Sequence, residues 1–175
     1  MLRLRPYKPC DAKAIVSWLG DEFSFRQWCA DRFEHYPLTE EALNAHYDAQ
    51  RLNDAFYPMT AYDENGVQGH MILRFTDEQK THLRFGFVIV NPLLRGKGYG
   101  KEMLNLAIHY GKHLLKADSI SLGVFENNPA AFHCYQAVGF REIALPEKES
   151  YHVFGKEWLC REMVGSAVMH AADRY

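Results

Sequence analysis

The sequence predicts a single α/β (or α+β) unit, and three segments carry that prediction. His82 to Val90 (HLRFGFVIV) is an apolar strand that runs through Asn91-Pro92 and glycines 96, 98 and 100 into an amphipathic helix, 99 to 115. A second passage from strand to helix follows at 119 to 125 and 129 to 137. Before both lie two apolar runs, 55 to 62 and 67 to 75, joined by Asp63-Glu64-Asn65-Gly66, a hairpin turn signal.

The remaining elements follow in chain order. LRLR (Leu2 to Arg5) alternates as an edge strand, and Asp11 to Leu19 places Ile15, Trp18 and Leu19 on one side of a helix. Asp21 to Tyr36 is dense in aromatic residues (Phe23, Phe25, Trp28, Phe33, Tyr36), and Thr39 caps a helix over 40 to 52, so this region reads as two or three short helices. Asn128 at the N-cap, Pro129 at the first helical position and Gly139 just past the end bound the helix 129 to 137. Strands at 140 to 146 and 150 to 160 complete the order, with no repeats, low-complexity segments or linkers.

Composition narrows the class of protein. At 175 residues with 47% hydrophobic content, one domain spanning 1–175 can bury about 70% of its unfolded surface. Lys plus Arg number 20 against 22 Asp plus Glu, a balance that argues against a nucleic-acid partner. Cys10, Cys29, Cys134 and Cys160 form no C-x-x-C pair, so reduced thiols and a cytoplasmic location are expected. MLRLRPYKPC lacks the apolar core of a signal peptide and no apolar run reaches the length of a span, so no membrane partner is expected. His109 and His113 stand i, i+4, yet no H-E-x-x-H accompanies them, and no metal is expected.

The glycine segment carries the chemistry. Gly96, Gly98 and Gly100 remove the Cβ atoms that would hold a ligand off the backbone, so successive amides can converge at the positive end of the following helix, a cradle for phosphates. The nucleotide P-loop pattern fails, because Arg95 stands five before Gly100 and Glu102, with no hydroxyl, follows Lys101. The dinucleotide fingerprint fails as well, since the glycines run G-x-G-x-G. Arg95 and Lys101 either ligate phosphate directly or only solvate the loop. Gly86, inside the central strand, either accommodates a bulky neighbour or marks a β-bulge.

Two ordered signatures add a resemblance. Val90, Pro92, Arg95, Gly96, Gly98 and Gly100 match V-x-P-x-x-R-G-x-G-x-G, and Asn128, Ala130, Ala131, Tyr135, Gly139 and Phe140 match N-x-A-A-x-x-x-Y-x-x-x-G-F. The chain thereby resembles the GNAT superfamily of acyl-CoA-dependent N-acyltransferases, with roughly residues 67 to 145 well matched. The resemblance implies a mixed central sheet of six to seven strands with splayed central strands, flanked by helices. It also implies a CoA-binding part at about 82–140, acceptor-recognition helices at about 9–53 and a tail at about 163–175. Acetyl-CoA is the implied co-substrate, bound by backbone groups of Val88, Ile89 and Val90 along the pantetheine, by Arg95, Gly96, Lys97, Gly98, Tyr99, Gly100 and Lys101 at the diphosphate, and by Asn128.

Tyr135 is the implied acid. A tyrosine hydroxyl, with a pKa of about 10, stays protonated at neutral pH and can protonate a departing thiolate whose pKa is about 8.5. Deprotonating a lysine-like amine at pH 7 costs about 4.6 kcal/mol and an α-amine about 1 kcal/mol, so the need for a base depends on the acceptor. Glu126 and His82 are positioned as weak candidates for that base, and Cys134 reads as a small buried hydrophobe. The expected reaction is transfer of acetyl to a primary amine of a small molecule, amino sugar or peptide N-terminus. The alternative is a non-catalytic acyl-CoA sensor of the same fold. Between Asp21 and Glu41, six acidic residues accompany two arginines and five aromatics, a mixture suited to a cationic acceptor or to an ordinary solvated helix pair. A homodimer is left open.

Overall fold

A computed structural model describes residues 1–165. Strands β1 (Arg3–Pro6), β2 (Phe56–Asp63), β3 (Gly66–Phe75), β4 (His82–Val90), β5 (Ser119–Phe125), β6 (Phe140–Ile143), β7 (Ser150–Val153) and β8 (Lys156–Gly165) are accompanied by helices α1 (Ala12–Ser17), α2 (Glu22–Cys29), α3 (Glu40–Asp48), α4 (Tyr99–His109) and α5 (Pro129–Ala137). The sheet runs β1-β2-β3-β4-β5-β8-β6, with β7 paired to the outer part of β8. Every pairing is antiparallel except β4 with β5. That makes eight strands among the described residues where six to seven were expected. The segment expected as one strand at 150 to 160 is a hairpin, turned at Phe154-Gly155 where both residues take positive φ (53° and 68°). The tail expected from Met163 is also corrected: β8 continues to Gly165 and Met163 is fully buried, while the remainder of that tail lies outside the described residues.

Alternation along the strands divides the core into two layers. Met71, Leu73 and Phe75 of β3 with Leu83 and Phe85 of β4 face one way, against Met103, Leu104 and Ala107 of α4 and Tyr135 of α5. Ile72 and Ile89 face the other way, against Ile15, Phe25, Trp28 and Leu43 of α1, α2 and α3. Each fully buried leucine or phenylalanine contributes about 1.5–3 kcal/mol relative to exposure. The helix expected at 99 to 115 holds α geometry to His109 and then widens into a π turn, Tyr110–Leu114. The helix expected to reach 52 stops at Asp48.

The α3 side of the sheet holds a buried polar pair. The Tyr47 hydroxyl and Nε2 of His70 lie 2.6 Å apart, and both residues are buried. Burial pushes the His70 pKa down to about 3. The unfolded chain therefore takes up a proton below about pH 6.5 that the folded chain refuses, so this contribution is complete above pH 6.5 and is lost as the pH falls toward 3. Between pH 5.5 and 4.5, the urea-unfolding free energy of the wild type should fall about 1.4 kcal/mol more than that of His70→Gln. Equal losses would remove His70 as the cause.

Candidate active site

The site begins where two parallel strands part. β4 and β5 pair from His82↔Ser119 to Phe85↔Leu122 and no further, so residues 86 to 90 have no strand partner on that edge. On the other edge His70 pairs with Ile89 and Ile72 with Gly86, leaving Phe87 and Val88 opposite Met71 alone. This is a β-bulge, and it bends β4 away from β5. The strained residue is Phe87, with φ at 51°, whereas Gly86 keeps ordinary backbone and serves by size, since a Cβ there would stand 3.3 Å from the Ile72 side chain. The helices pin the bulge: Trp28 Nε1 donates to Phe87 O at 2.8 Å, and the two rings lie 4.7 Å apart.

The gap opens into a cleft of about 1020 Å³ that reaches both faces of the sheet. Val88, Ile89, Val90, Arg95, Gly96, Gly98, Gly100, Lys101, Asn128 and Tyr135 all line it. Gln27 of α2 reaches over it, donating from Nε2 to both the carbonyl and the side-chain oxygen of Asn127 at 3.0 Å.

The glycine loop has the form of an anion cradle. Asn91 caps a short turn over Pro92–Leu94, then Gly96 and Gly98 adopt positive φ (74° and 88°), and Gly98 is the N-cap of α4. The Gly96 and Gly98 amides have no acceptor among the described residues, and the first-turn amides of α4 point out of its positive end. Several charge-assisted bonds of about 1.5–3 kcal/mol each are available to a diphosphate. Groups of two expected residues are engaged elsewhere. The Lys97 amide donates to Leu94 O (3.2 Å) and its side chain is exposed, while the Tyr99 hydroxyl donates to Asp63 Oδ2 (3.1 Å), which leaves Tyr99 its main-chain amide at the start of α4.

Gly98→Ala tests the cradle. An alanine meets no atom there, but it must hold a left-handed backbone at a cost of about 1–2 kcal/mol. A rise of about 5- to 30-fold in the KM for acetyl-CoA is expected. An unchanged KM would show that the loop's conformation does not govern binding.

Tyr135 reaches the cleft from α5. The Asn128 side chain accepts from the Ala131 amide at 3.2 Å, Pro129 begins the helix, and two turns on the phenol packs beside Phe140 with ring centres 6.3 Å apart. Its hydroxyl has no hydrogen-bond partner among the described residues, and burial, with smaller contributions from Cys134 and Cys160, raises its pKa. Burial likewise raises the Cys134 thiol, so it is no thiolate nucleophile. Burial first and Glu149 second push Cys160, also in the cleft, up to about 11.

Neither candidate base lines the cleft. The two ring nitrogens of His82 lie 2.6 Å from Ser119 Oγ and 2.9 Å from Ser121 Oγ. Glu126 pairs with Lys148 at 2.6 Å, which holds its carboxyl below the usual range. The six acidic residues between Asp21 and Glu41 do not line the cleft either. Sequence reasoning missed residues that do: Arg32, His46, Arg74, Arg84, Glu149, Tyr151 and Cys160. The available signal was an arginine inside each of two strands rich in apolar residues, Arg74 beside Ile72, Leu73 and Phe75 and Arg84 beside Leu83 and Phe85.

Comparison with known proteins agrees with this architecture. The model of the acetyltransferase (GNAT) family matches residues 13–140. A spermidine N(1)-acetyltransferase of Vibrio cholerae is 27% identical over 146 residues, 81% of this chain and 79% of that protein. A spermine/spermidine N(1)-acetyltransferase of Bacillus subtilis is 32% identical over 102 residues, 57% and 58% of the two chains. The crystal structure of spermidine N-acetyltransferase from Vibrio cholerae in complex with CoA and spermine superposes with a TM-score of 0.78 at 22% identity, covering 93% of this chain and 94% of that one. The family match spans well over half the chain, so the chain belongs to the acetyltransferase (GNAT) family, whose reaction is transfer of acetyl from acetyl-CoA to an amine.

Proposed function

We propose that the cleft acetylates the primary amine of a small molecule, with Tyr135 as the proton donor to the departing sulfur. The observation that carries this is a buried phenol, without a hydrogen-bond partner among the described residues, lining the cleft where β4 and β5 part. Bound acetyl-CoA supplies a thioester carbonyl open to attack. The loop amides at 96 and 98 to 101 hold its diphosphate, and the free edge of Val88 to Val90 aligns its pantetheine arm. The bond made is amine nitrogen to acetyl carbon and the bond broken is carbon to sulfur. The amine loses one proton to solvent and the sulfur gains one from the phenol, which is then reprotonated.

Cys160 explains why a phenol of raised pKa suffices. Burial and Glu149 push that thiol up to about 11, and burial would disfavour a thiolate departing into the same surroundings. Proton transfer from phenol to sulfur is thereby brought closer to balance. The acceptor is read as a small molecule because the cleft is roofed by Gln27 and Trp28, and the polyamine names of the relatives support that scale. The test is a free-thiol release assay over a panel of amines. Amine-dependent release is expected, and CoA binding without release by any amine would overturn the reading in favour of a sensor.

A further inference from the structure

Where α2 borders it, the cleft carries positive charge that the protein neutralises only in part. Arg74 of β3 and Arg84 of β4 are directly opposed cross-strand partners, and both line the cleft with Arg32 from the turn after α2. Like charges directly opposite on one sheet face are destabilising. Arg84 is compensated: its Nη1 lies 2.6 Å from Glu162 and 3.1 Å from Ser121 Oγ, and its Nη2 lies 3.8 Å from Glu149. Arg74 is compensated only in part, by the more distant charge of Glu149. It is half-buried and makes no hydrogen bond or ion pair among the described residues, and burial, Arg84 and Arg32 together hold its pKa below the usual guanidinium range. The Arg32 side chain is exposed and likewise makes no ion pair among the described residues. Glu149 is the one carboxylate lining the cleft among the described residues, and it is engaged by the Tyr151 hydroxyl and by Arg84.

A free guanidinium facing a cavity presents a planar fork of donors that matches a carboxylate or a phosphate. We propose that the acceptor amine carries such an anionic group, seated on Arg74 with Arg32 closing on it from the helical side, and its amine directed toward Tyr135. This rests on the acetyl-transfer reading above and names the substrate class within it. A polycation is a poor match, because it brings further positive charge to a site already lined by three arginines. The same charges favour the neutral form of a bound amine, which lowers the cost of presenting a nucleophile in a cleft that neither Glu126 nor His82 lines.

The test compares ethanolamine, O-phosphoethanolamine, β-alanine and spermidine in the thiol-release assay, for the wild type, Arg74→Gln and Arg74→Lys. In the wild type, kcat/KM for at least one anionic amine should exceed that for ethanolamine by about tenfold or more, with spermidine the poorest. Arg74→Gln should lower that anionic-to-neutral ratio about tenfold, and Arg74→Lys, which restores the charge without the fork, should recover part of it. The two anionic amines separate phosphate from carboxylate. An unfolding midpoint for Arg74→Gln at or above that of the wild type is expected, since an opposed charge is removed, and it shows that the variant is folded. A wild-type ratio near one, a ratio unchanged in Arg74→Gln, or a preference for spermidine overturns the anion proposal and leaves acetyl transfer standing. Should no amine release thiol, the acetyl-transfer reading fails. Calorimetry of the two anionic amines with CoA-loaded protein then decides the anion site: binding weakened about tenfold in Arg74→Gln supports it, and absent or unchanged binding overturns it.

Discussion

Replacing Tyr135 with phenylalanine should lower kcat by about 10²- to 10⁴-fold, the range of one general acid, while CoA still binds. The substitution removes a single oxygen that has no hydrogen-bond partner among the described residues and leaves the ring packed beside Phe140. A change confined to kcat and kcat/KM of the amine, with the KM for acetyl-CoA held within about twofold, assigns the loss to proton donation. Because burial raises the pKa of the phenol, it stays protonated far into the alkaline range. The alkaline limb of the wild-type profile therefore should not belong to Tyr135. Full activity in Tyr135→Phe would remove the phenol from the mechanism and leave solvent to protonate the sulfur.

Asp11→Ala should cost about 3–5 kcal/mol of stability, because it removes one partner of a buried ion pair. The carboxylate is 2% exposed and is held by four donors: Arg5 Nη1 and Nη2 at 2.7 and 2.8 Å, the Lys8 amide at 2.9 Å and the Thr60 hydroxyl at 2.8 Å. Burial opposes its ionisation, but Arg5, Lys8 and Thr60 outweigh burial and hold the carboxyl below its usual pKa. The sign follows: this stability is fully present above the unfolded value of about 3.9 and is lost as the pH falls through the lower folded value. Removal strands a guanidinium and a buried hydroxyl at the corner from which α1 departs, so α1 loses its anchor to β1 and β2. Urea unfolding at pH 7 checks it, and a loss under about 1 kcal/mol would show that water replaces the carboxylate.

Local chemistry explains which parts were legible. The bounds of α5 could be read because Asn128, Pro129 and Gly139 each act within one turn, and the hairpin of β2 and β3 because Gly66 at φ 106° ends its turn. The cradle was legible for the same reason: a spacing of two between glycines is a statement about backbone, and backbone answers to its own sequence. The β7–β8 hairpin was not legible, since Phe154 takes a positive φ that its residue type disfavours and cross-strand pairing imposes. Nor was the bulge placed correctly, because Trp28, fifty-nine residues away, holds Phe87 in its strained conformation.

The sequence by itself determined the family, the element order up to β6 and the glycine loop's backbone form, each carried by a short motif whose geometry closes within a few residues. Only the tertiary structure decided which charges line the cleft. Acidic residues dominate the helical segment in sequence, yet folding turns all six away from the cleft and brings Arg32, Arg74 and Arg84 into it from three different elements. Charge along a chain sums over neighbours in sequence, whereas the field in a cleft sums over neighbours in space, and strand register chose those.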